Sequence, residues 1–441
     1  MTIVRQPAVS GMFYPADPEQ LRKWVDEALE AVTPPPLTSR VVISPHAGYV
    51  YSGALAARAI ACLPTNTRRV LVLGPCHRVG IDAMALAGAD AHATPLGTIP
   101  NDPELTELIC THPAVTTAPI VQRDEHSLEV QLPFLQRHLE PGFSVVPVAV
   151  GQVPASAVAD IIDIAWQADN TAVVVSSDLS HYLPYAQARD VDADTLHRIV
   201  TLDGPLVGSQ ACGAFPVSGL IEFARRRQLS PVVLDSCNSG DTAGDRSRVV
   251  GYGALALRPA SALPALAYNA IARHLGAGEV PVPATTEQLE SDGATFVTLT
   301  IDGQLRGCIG SLVAHRPLRD DVEYNARAAA FSDPRFSPLT ETELNRISVE
   351  VSVLSAPSPL AGSPGLERSE VEARLRPGVD GVTLSHGSRR STFLPQVWDE
   401  LANPHDFLAH LLRKGGWPAS GWDRNIAVET YQVTSYHLPK R

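Results

Sequence analysis

Three stretches of the chain put an imidazole or a carboxylate just after a run of apolar, largely β-branched residues. They are Val41-Val-Ile-Ser-Pro-His46-Ala-Gly-Tyr49, Val70-Leu-Val-Leu-Gly-Pro-Cys76-His77-Arg78 and Val173-Val-Val-Ser-Ser-Asp178-Leu-Ser-His181-Tyr182. Runs of this kind read as strands buried on both faces. Open α/β sheets bind ligands outside the carboxyl ends of their strands, so His46, His77, Asp178 and His181 can converge despite their separation in sequence. Neutral imidazole suits zinc, iron and copper, and Gly48 and Gly74 permit the tight turns that aim such side chains inward. The chemistry expected is a mononuclear metal site with His46 and His77 as ligands. Asp178 and His181 can coordinate directly or can orient ligands and shuttle protons; the second role is preferred, with the Asp178 carboxylate fixing the His181 tautomer.

The Asp124-Glu-His-Ser127 stretch opens a helix marked by Leu128, Leu132, Leu135 and Leu139. Asp124 is expected as its acidic cap, while His126 and Glu129 either join the site, His126 then as a catalytic group, or stay structural. Pro133 bends that helix unless it falls in the first turn. Six cysteines without a CxxC pair are too sparse for a disulfide framework. Cys212, in Gln210-Ala-Cys-Gly-Ala-Phe-Pro216, precedes a predicted helix, and a helix start beside a cation favours the thiolate that ligates metal. Its plainer reading is a buried small hydrophobe. Cys237 and Cys76 are rival thiols, and spacing does not choose among the three.

The elements that must position these groups follow from the rhythm of the chain. Its 441 residues, 44% apolar and 19% charged, predict two or three domains. Strands at Val41–Ile43, Val70–Leu73, Val145–Val150 and Ala172–Val175 alternate with helices such as Leu21–Val32, which opens after Asp17-Pro18. This βαβ rhythm predicts a three-layer α/β domain over residues 1–258, with a mostly parallel or mixed sheet. A Pro- and Ala-rich stretch near residue 260 marks a boundary, and residues 262–441 read as a smaller α+β domain. There the expected strands are Thr295–Ile301, Gly307–Val313, Ile347–Leu354 and Ile426–Thr434. The expected helices are Ala265–Leu275, Leu318–Phe331, Leu394–Leu401 and Asp406–Leu412. Asp302-Gly303 is a hairpin turn signal. Arg306 and Cys308 alternate on one strand and are expected to face one groove, where the guanidinium lowers the thiol pKa. The competing reading is a buried strand cysteine, with Gly307 and Gly310 marking a bulge or close chain approach. His386 reads as a solvated loop residue and Arg389-Arg390 as a holder of an anionic ligand. Cys62 and Cys110 are expected in packed helices.

Net charge is −12, with lysine only at Lys23, Lys414 and Lys440 and no basic tract, which argues against an extended nucleic-acid surface. The first residues lack the pattern of a signal peptide and no apolar run approaches about 18 residues, so a cytoplasmic protein without membrane contact is expected.

Pro45-His-Ala-Gly-Tyr49, Leu73-Gly-Pro-Cys-His77, Asp124-Glu-His-Ser-Leu-Glu129, Ser176-Ser-Asp-Leu-Ser-His181 and Cys212-Gly together resemble the Memo family, over nearly all of residues 1–258. The resemblance implies a fold like that of class III extradiol dioxygenases, whose active site holds a non-heme Fe(II). It implies metal-site residues at His46, His77 and Cys212, with Asp178 and His181 lining the same cleft. Cys212 would stand where those enzymes use a carboxylate; a thiolate softens the site toward Cu(I), so iron and copper are both implied and zinc remains open. Residues 262–441 resemble the AMMECR-type domain through Leu305-Arg-Gly-Cys-Ile-Gly310, Asp333-Pro-Arg-Phe336, Val349–Leu354 and Thr392-Phe-Leu-Pro-Gln-Val-Trp398. The pairing matches a three-component system whose third member is a radical S-adenosylmethionine protein. This chain has no CxxxCxxC, so that partner is expected to be separate. The expected activity is metal-dependent redox or oxygen handling on a small molecule or modified protein group. A non-catalytic binding module and metal-assisted hydrolysis are the alternatives.

Overall fold

The computed structural model describes residues 2–32, 37–242, 244–284 and 287–439. Residues up to Ala260 form one compact unit and Ser261–Leu438 a second.

The first unit is built on a mixed nine-stranded sheet. Its strands run in the order His181–Leu183, Val249–Pro259, Val41–Ser44, Thr171–Ser176, Arg69–Pro75, Ser144–Val150, Met84–Leu86 and Val115–Thr117, and Leu229–Asn238 pairs with Val249–Pro259. The four central strands are parallel, and their neighbours on either side pair antiparallel to them. Successive side chains of a strand point to opposite faces. Val41, Ile43, Leu71 and Leu73 therefore join one core with the helices Ala155–Gln167 and Ala214–Arg227. Val42, Val70, Val72 and Val174 join another with Pro18–Glu30, Tyr49–Ile60 and Leu132–His138. Helices on both faces make three layers, which is why the strands read as continuous apolar runs. Asp17 caps its helix as expected, accepting from the Gln20 backbone N–H, and Pro133 falls in a first turn, where it bends nothing.

Asp124 does not open a helix as an N-terminal cap; it closes one, its backbone N–H donating to the Gln122 carbonyl. It follows the short helix Pro119–Arg123, pairs with Arg123 at the surface, and the chain becomes helical again only at the 3-10 turn Glu129–Gln131. The neighbouring backbone donors of His126 and Ser127 are taken by Glu125 instead.

The second unit holds two four-stranded antiparallel sheets. One orders Gln304–Gly310, Thr295–Ile301, Ile347–Leu354 and Val433–His437, packed by the helices Leu263–Leu275 and Leu318–Phe331. The other orders Ser358–Pro359, Ala427–Tyr431, Gly381–His386 and Arg389–Phe393, packed by Pro404–Lys414. The strand expected at Gly307–Val313 starts earlier, because Asp302 and Gly303, with φ of 50° and 76°, turn the chain back at once. The single strand expected at Ile426–Thr434 breaks at Gln432, and its two halves serve different sheets. The helix expected at Leu394–Leu401 is a 3-10 turn, Pro395–Asp399. No helix among the described residues is long and apolar enough to cross a membrane.

Candidate metal centre

Val41–Ser44, Thr171–Ser176 and Arg69–Pro75 are adjacent parallel strands, and His46, Asp178 and His77 each follow two residues beyond the end of one of them. The sheet thus sets the three groups side by side at one edge. His126 arrives from the loop before the 3-10 turn. His46, His77 and His126 offer ring nitrogens that lie within 4.8 Å of one another. The rings of His77 and His126 stack at 4.5 Å, and Phe13 lies 4.7 Å from His126.

Hydrogen bonds fix which nitrogen faces the cluster. The Ser176 hydroxyl spends its one hydrogen on the Ser127 carbonyl at 2.6 Å and accepts from Gln131 Nε2 at 2.9 Å. Its contact with His46 Nδ1 at 2.9 Å is therefore one in which the imidazole donates, leaving the Nε2 lone pair to face the cluster. Gln131 is held by Ser44 and the Pro45 carbonyl, so the strand itself locks the relay. His77 Nδ1 donates to Glu125 Oε1 at 2.9 Å and its backbone N–H donates to Oε2 at 2.6 Å, which likewise leaves Nε2 for the cluster. Burial would raise the Glu125 pKa, but its contacts with His77 and the Ser127 backbone outweigh that and hold it at about 2. Burial and the neighbouring imidazoles push His46 well below the usual histidine value, and burial with His77 brings His126 to about 4. Neutral imidazoles are the ligating form.

Cys212 sits just before the helix Ala214–Arg227 with Sγ 3.2 Å from His46 Nε2, and the Asp178 backbone N–H donates to it at 3.3 Å. Burial and the Asp178 carboxylate raise its thiol pKa, the opposite of the lowering expected from a helix start beside a cation. Asp178 does not orient His181. Its Oδ1 accepts from the His46 backbone N–H at 2.7 Å, while His181 Nδ1 meets the Leu179 carbonyl at 2.9 Å. His181 opens a strand rather than a helical turn, so three-residue spacing does not bring the pair together. Burial pushes Asp178 to about 7. Both groups still line one cleft of about 750 Å³ with His46, His77, His126 and Cys212. Cys76 and Cys237 do not line it. Glu129 lies outside it too, buried as the acceptor of Arg5, Tyr14 and the backbone of Ala8 and Val9. Glu125, Ser176 and Gln131 were missed by sequence reasoning; the one signal for Glu125 was its place beside His126 in an acidic-imidazole run.

In the second unit Arg306 is drawn to Glu343. The strand register shifts between Leu305 and Gly307, and the Arg306 guanidinium pairs with Glu343 at 2.9 Å. Cys308 Sγ faces Thr298 Oγ1 at 3.3 Å, and the guanidinium beside Cys308 is that of Arg335, which also donates to the Cys308 carbonyl at 3.2 Å. A Cβ on Gly307 would stand 2.2 Å from the Ala329 carbonyl oxygen, and one on Gly310 2.3 Å from the Phe296 ring, so close chain approach explains both glycines. Arg389 donates to the Gly416 carbonyl. Cys110 is exposed, not packed, at the end of its helix.

Residues 5–256 match the family model for Memo-like proteins, and residues 264–436 match the AMMECR1 model. A MEMO1 family protein of Methanosarcina barkeri is 34% identical over 265 residues, covering 57% of this chain and 99% of that protein. One from Aquifex aeolicus is 35% identical over 265 residues, covering 56% of this chain and 97% of its own length. A solved but uncharacterized protein of Pyrococcus horikoshii is 32% identical, with a TM-score of 0.35, over 40% of this chain and 89% of that one.

Proposed function

The chain belongs to the Memo-like protein family, and from that premise we propose that its first unit is a mononuclear transition-metal centre with redox or oxygen-handling chemistry. The convergence of His46, His77 and His126 in one cleft carries the reading. The donor set fits such an ion: His46 and His77 are both tied down through Nδ1 and keep Nε2 for coordination, and burial keeps His46 and His126 neutral. His46 and His77 would hold the ion, with Cys212 and His126 as the further donors beside them. Imidazole with a sulfur donor suits iron or copper, with zinc also accommodated. When bound, the ion supplies electron transfer or polarisation of a coordinated group. Asp178 holds a proton beside His46, and His181, tethered at Nδ1 by Leu179, exchanges protons through its other ring nitrogen. The substrate we assign is a small molecule or modified protein group, handled together with a separate radical S-adenosylmethionine protein.

The test is elemental analysis of chelator-free protein, followed by oxygen uptake with catechols and with reductants. The expected result is iron or copper near one ion per chain, lost in His46→Ala, with oxygen consumption in the wild type only. Folded protein that takes up no metal would sink the proposal in favour of a binding module, and tight zinc without oxygen uptake would favour hydrolysis.

A further inference from the structure

Gly208 lines the metal-centre cleft and also a second cleft of about 530 Å³, which lies against the helix Ala214–Arg227. Gly208 is exposed, and a Cβ built on it meets nothing within 4 Å, so the position beside both clefts is unobstructed. The first adds imidazoles, Asp178 and Arg78 to an apolar lining that includes Phe13 and Val191; the second has no imidazole and is walled by Val153, Pro154, Pro205, Val207, Phe215 and Ile221.

Two polar side chains of the second cleft are already engaged within the protein. The Ser218 hydroxyl donates to the Ala214 carbonyl at 2.6 Å and accepts from the Leu206 N–H at 2.9 Å. The Glu222 carboxylate pairs with Arg225 and Arg226. A ligand entering there meets chiefly apolar wall, with the Arg225 guanidinium, 3.8 Å from Glu222, as the charged donor beside it. Val207 and Phe215 stay 55% and 43% exposed, and covering such surface with an apolar group is favourable. The volume falls within the range of about 300–1,000 Å³ typical of small-molecule pockets.

We propose that the second cleft is the subsite for the apolar tail of an amphipathic small molecule whose polar head lies at the His46, His77 and His126 cluster. The head's place rests on the metal reading above; the tail's place rests on the second cleft and on Gly208, which lines both clefts. The substrate class is thus an alkyl-bearing metal-binding compound rather than a small, wholly polar one.

Hydroxamates, which chelate metal through two oxygens, test this by calorimetric titration of the zinc-loaded full chain with acetohydroxamate and octanohydroxamate. A fully buried methylene is worth roughly fourfold in affinity, and a half-open cleft about twofold, so the six extra methylenes should tighten binding by roughly 50-fold. Val207→Asp and Phe215→Asp, both at exposed positions, should cut that gain below about fivefold while leaving acetohydroxamate affinity unchanged. Gly208→Trp should set a bulky ring between the two clefts and remove the gain as well. If acetohydroxamate does not bind, the metal reading fails and takes this one with it. If it binds but octanohydroxamate binds no tighter, or the gain survives both aspartate variants, the tail subsite alone is overturned.

Discussion

Replacing Glu125 by Gln should weaken metal binding by roughly 10–100-fold, the usual effect of losing a carboxylate behind a ligating histidine. The structure explains why an isosteric change is so costly. The carboxylate is fully buried and accepts four hydrogen bonds, from the His77 backbone N–H, His77 Nδ1, and the backbone N–H groups of His126 and Ser127. Two of the three clustered imidazoles thus belong to residues that one side chain holds in place. A glutamine keeps one acceptor oxygen. If that oxygen replaces Oε1, its amide N–H faces the His77 backbone N–H, and one buried donor is stranded at a cost of about 1–3 kcal/mol. That range brackets the roughly 1.4–2.7 kcal/mol that a 10–100-fold loss represents. Because Glu125 is held at about 2, it stays ionised across the working range, and the deficit of the variant should be the same at pH 6 and pH 8. Competition against a chromophoric chelator measures the affinity, and circular dichroism confirms the fold. A folded Glu125→Gln protein that binds metal within twofold of wild type would refute the positioning argument.

Three further outcomes are expected. His92 is buried and held at about 4 by burial and Arg5, so the unfolded chain takes up a proton near the ordinary value of about 6.5 before the folded one does. Stability should fall as pH drops from 7 toward 5, by about 2 kcal/mol from this residue, and denaturant titrations of His92→Gln should show a shallower slope; an unchanged slope removes His92 from the account. Gly307→Ala should cost about 2 kcal/mol or more in thermal or urea unfolding, because the new methyl meets the backbone of Ala329 rather than a movable side chain, and a neutral effect would contradict the close approach. Under native conditions a thiol reagent should label exposed Cys110 first, while Cys62, buried and raised in pKa, should react only on unfolding; mass spectrometry of the labelled peptides reads the order, and comparable rates at the two sites would be incompatible with this packing.

The sequence by itself determined the frame. Continuous β-branched runs ending in Ser-Pro-His46, Pro-Cys-His77 and Ser-Ser-Asp178 specify strands buried on both faces with polar groups at their carboxyl ends, because alternate residues must serve two cores at once. The Asp302-Gly303 turn and the helices Leu263–Leu275 and Leu318–Phe331 were legible for the same local reason, turn chemistry and helical periodicity. What only the tertiary structure decided was which groups meet. Strand order makes His46, Asp178 and His77 neighbours, and local patterning along the chain does not display that order. The partner of each imidazole lies well away in the chain: Ser176 is 130 residues from His46, and Glu125 is 48 from His77. Asp178 does not orient His181, because the backbone between them is not helical and the Leu179 carbonyl, two residues back, engages the ring. The Gln432 break shows the same limit in the second unit. One apolar stretch is cut between two sheets by packing partners that local pattern does not register, since hydrophobic periodicity records that a residue is buried and not against what.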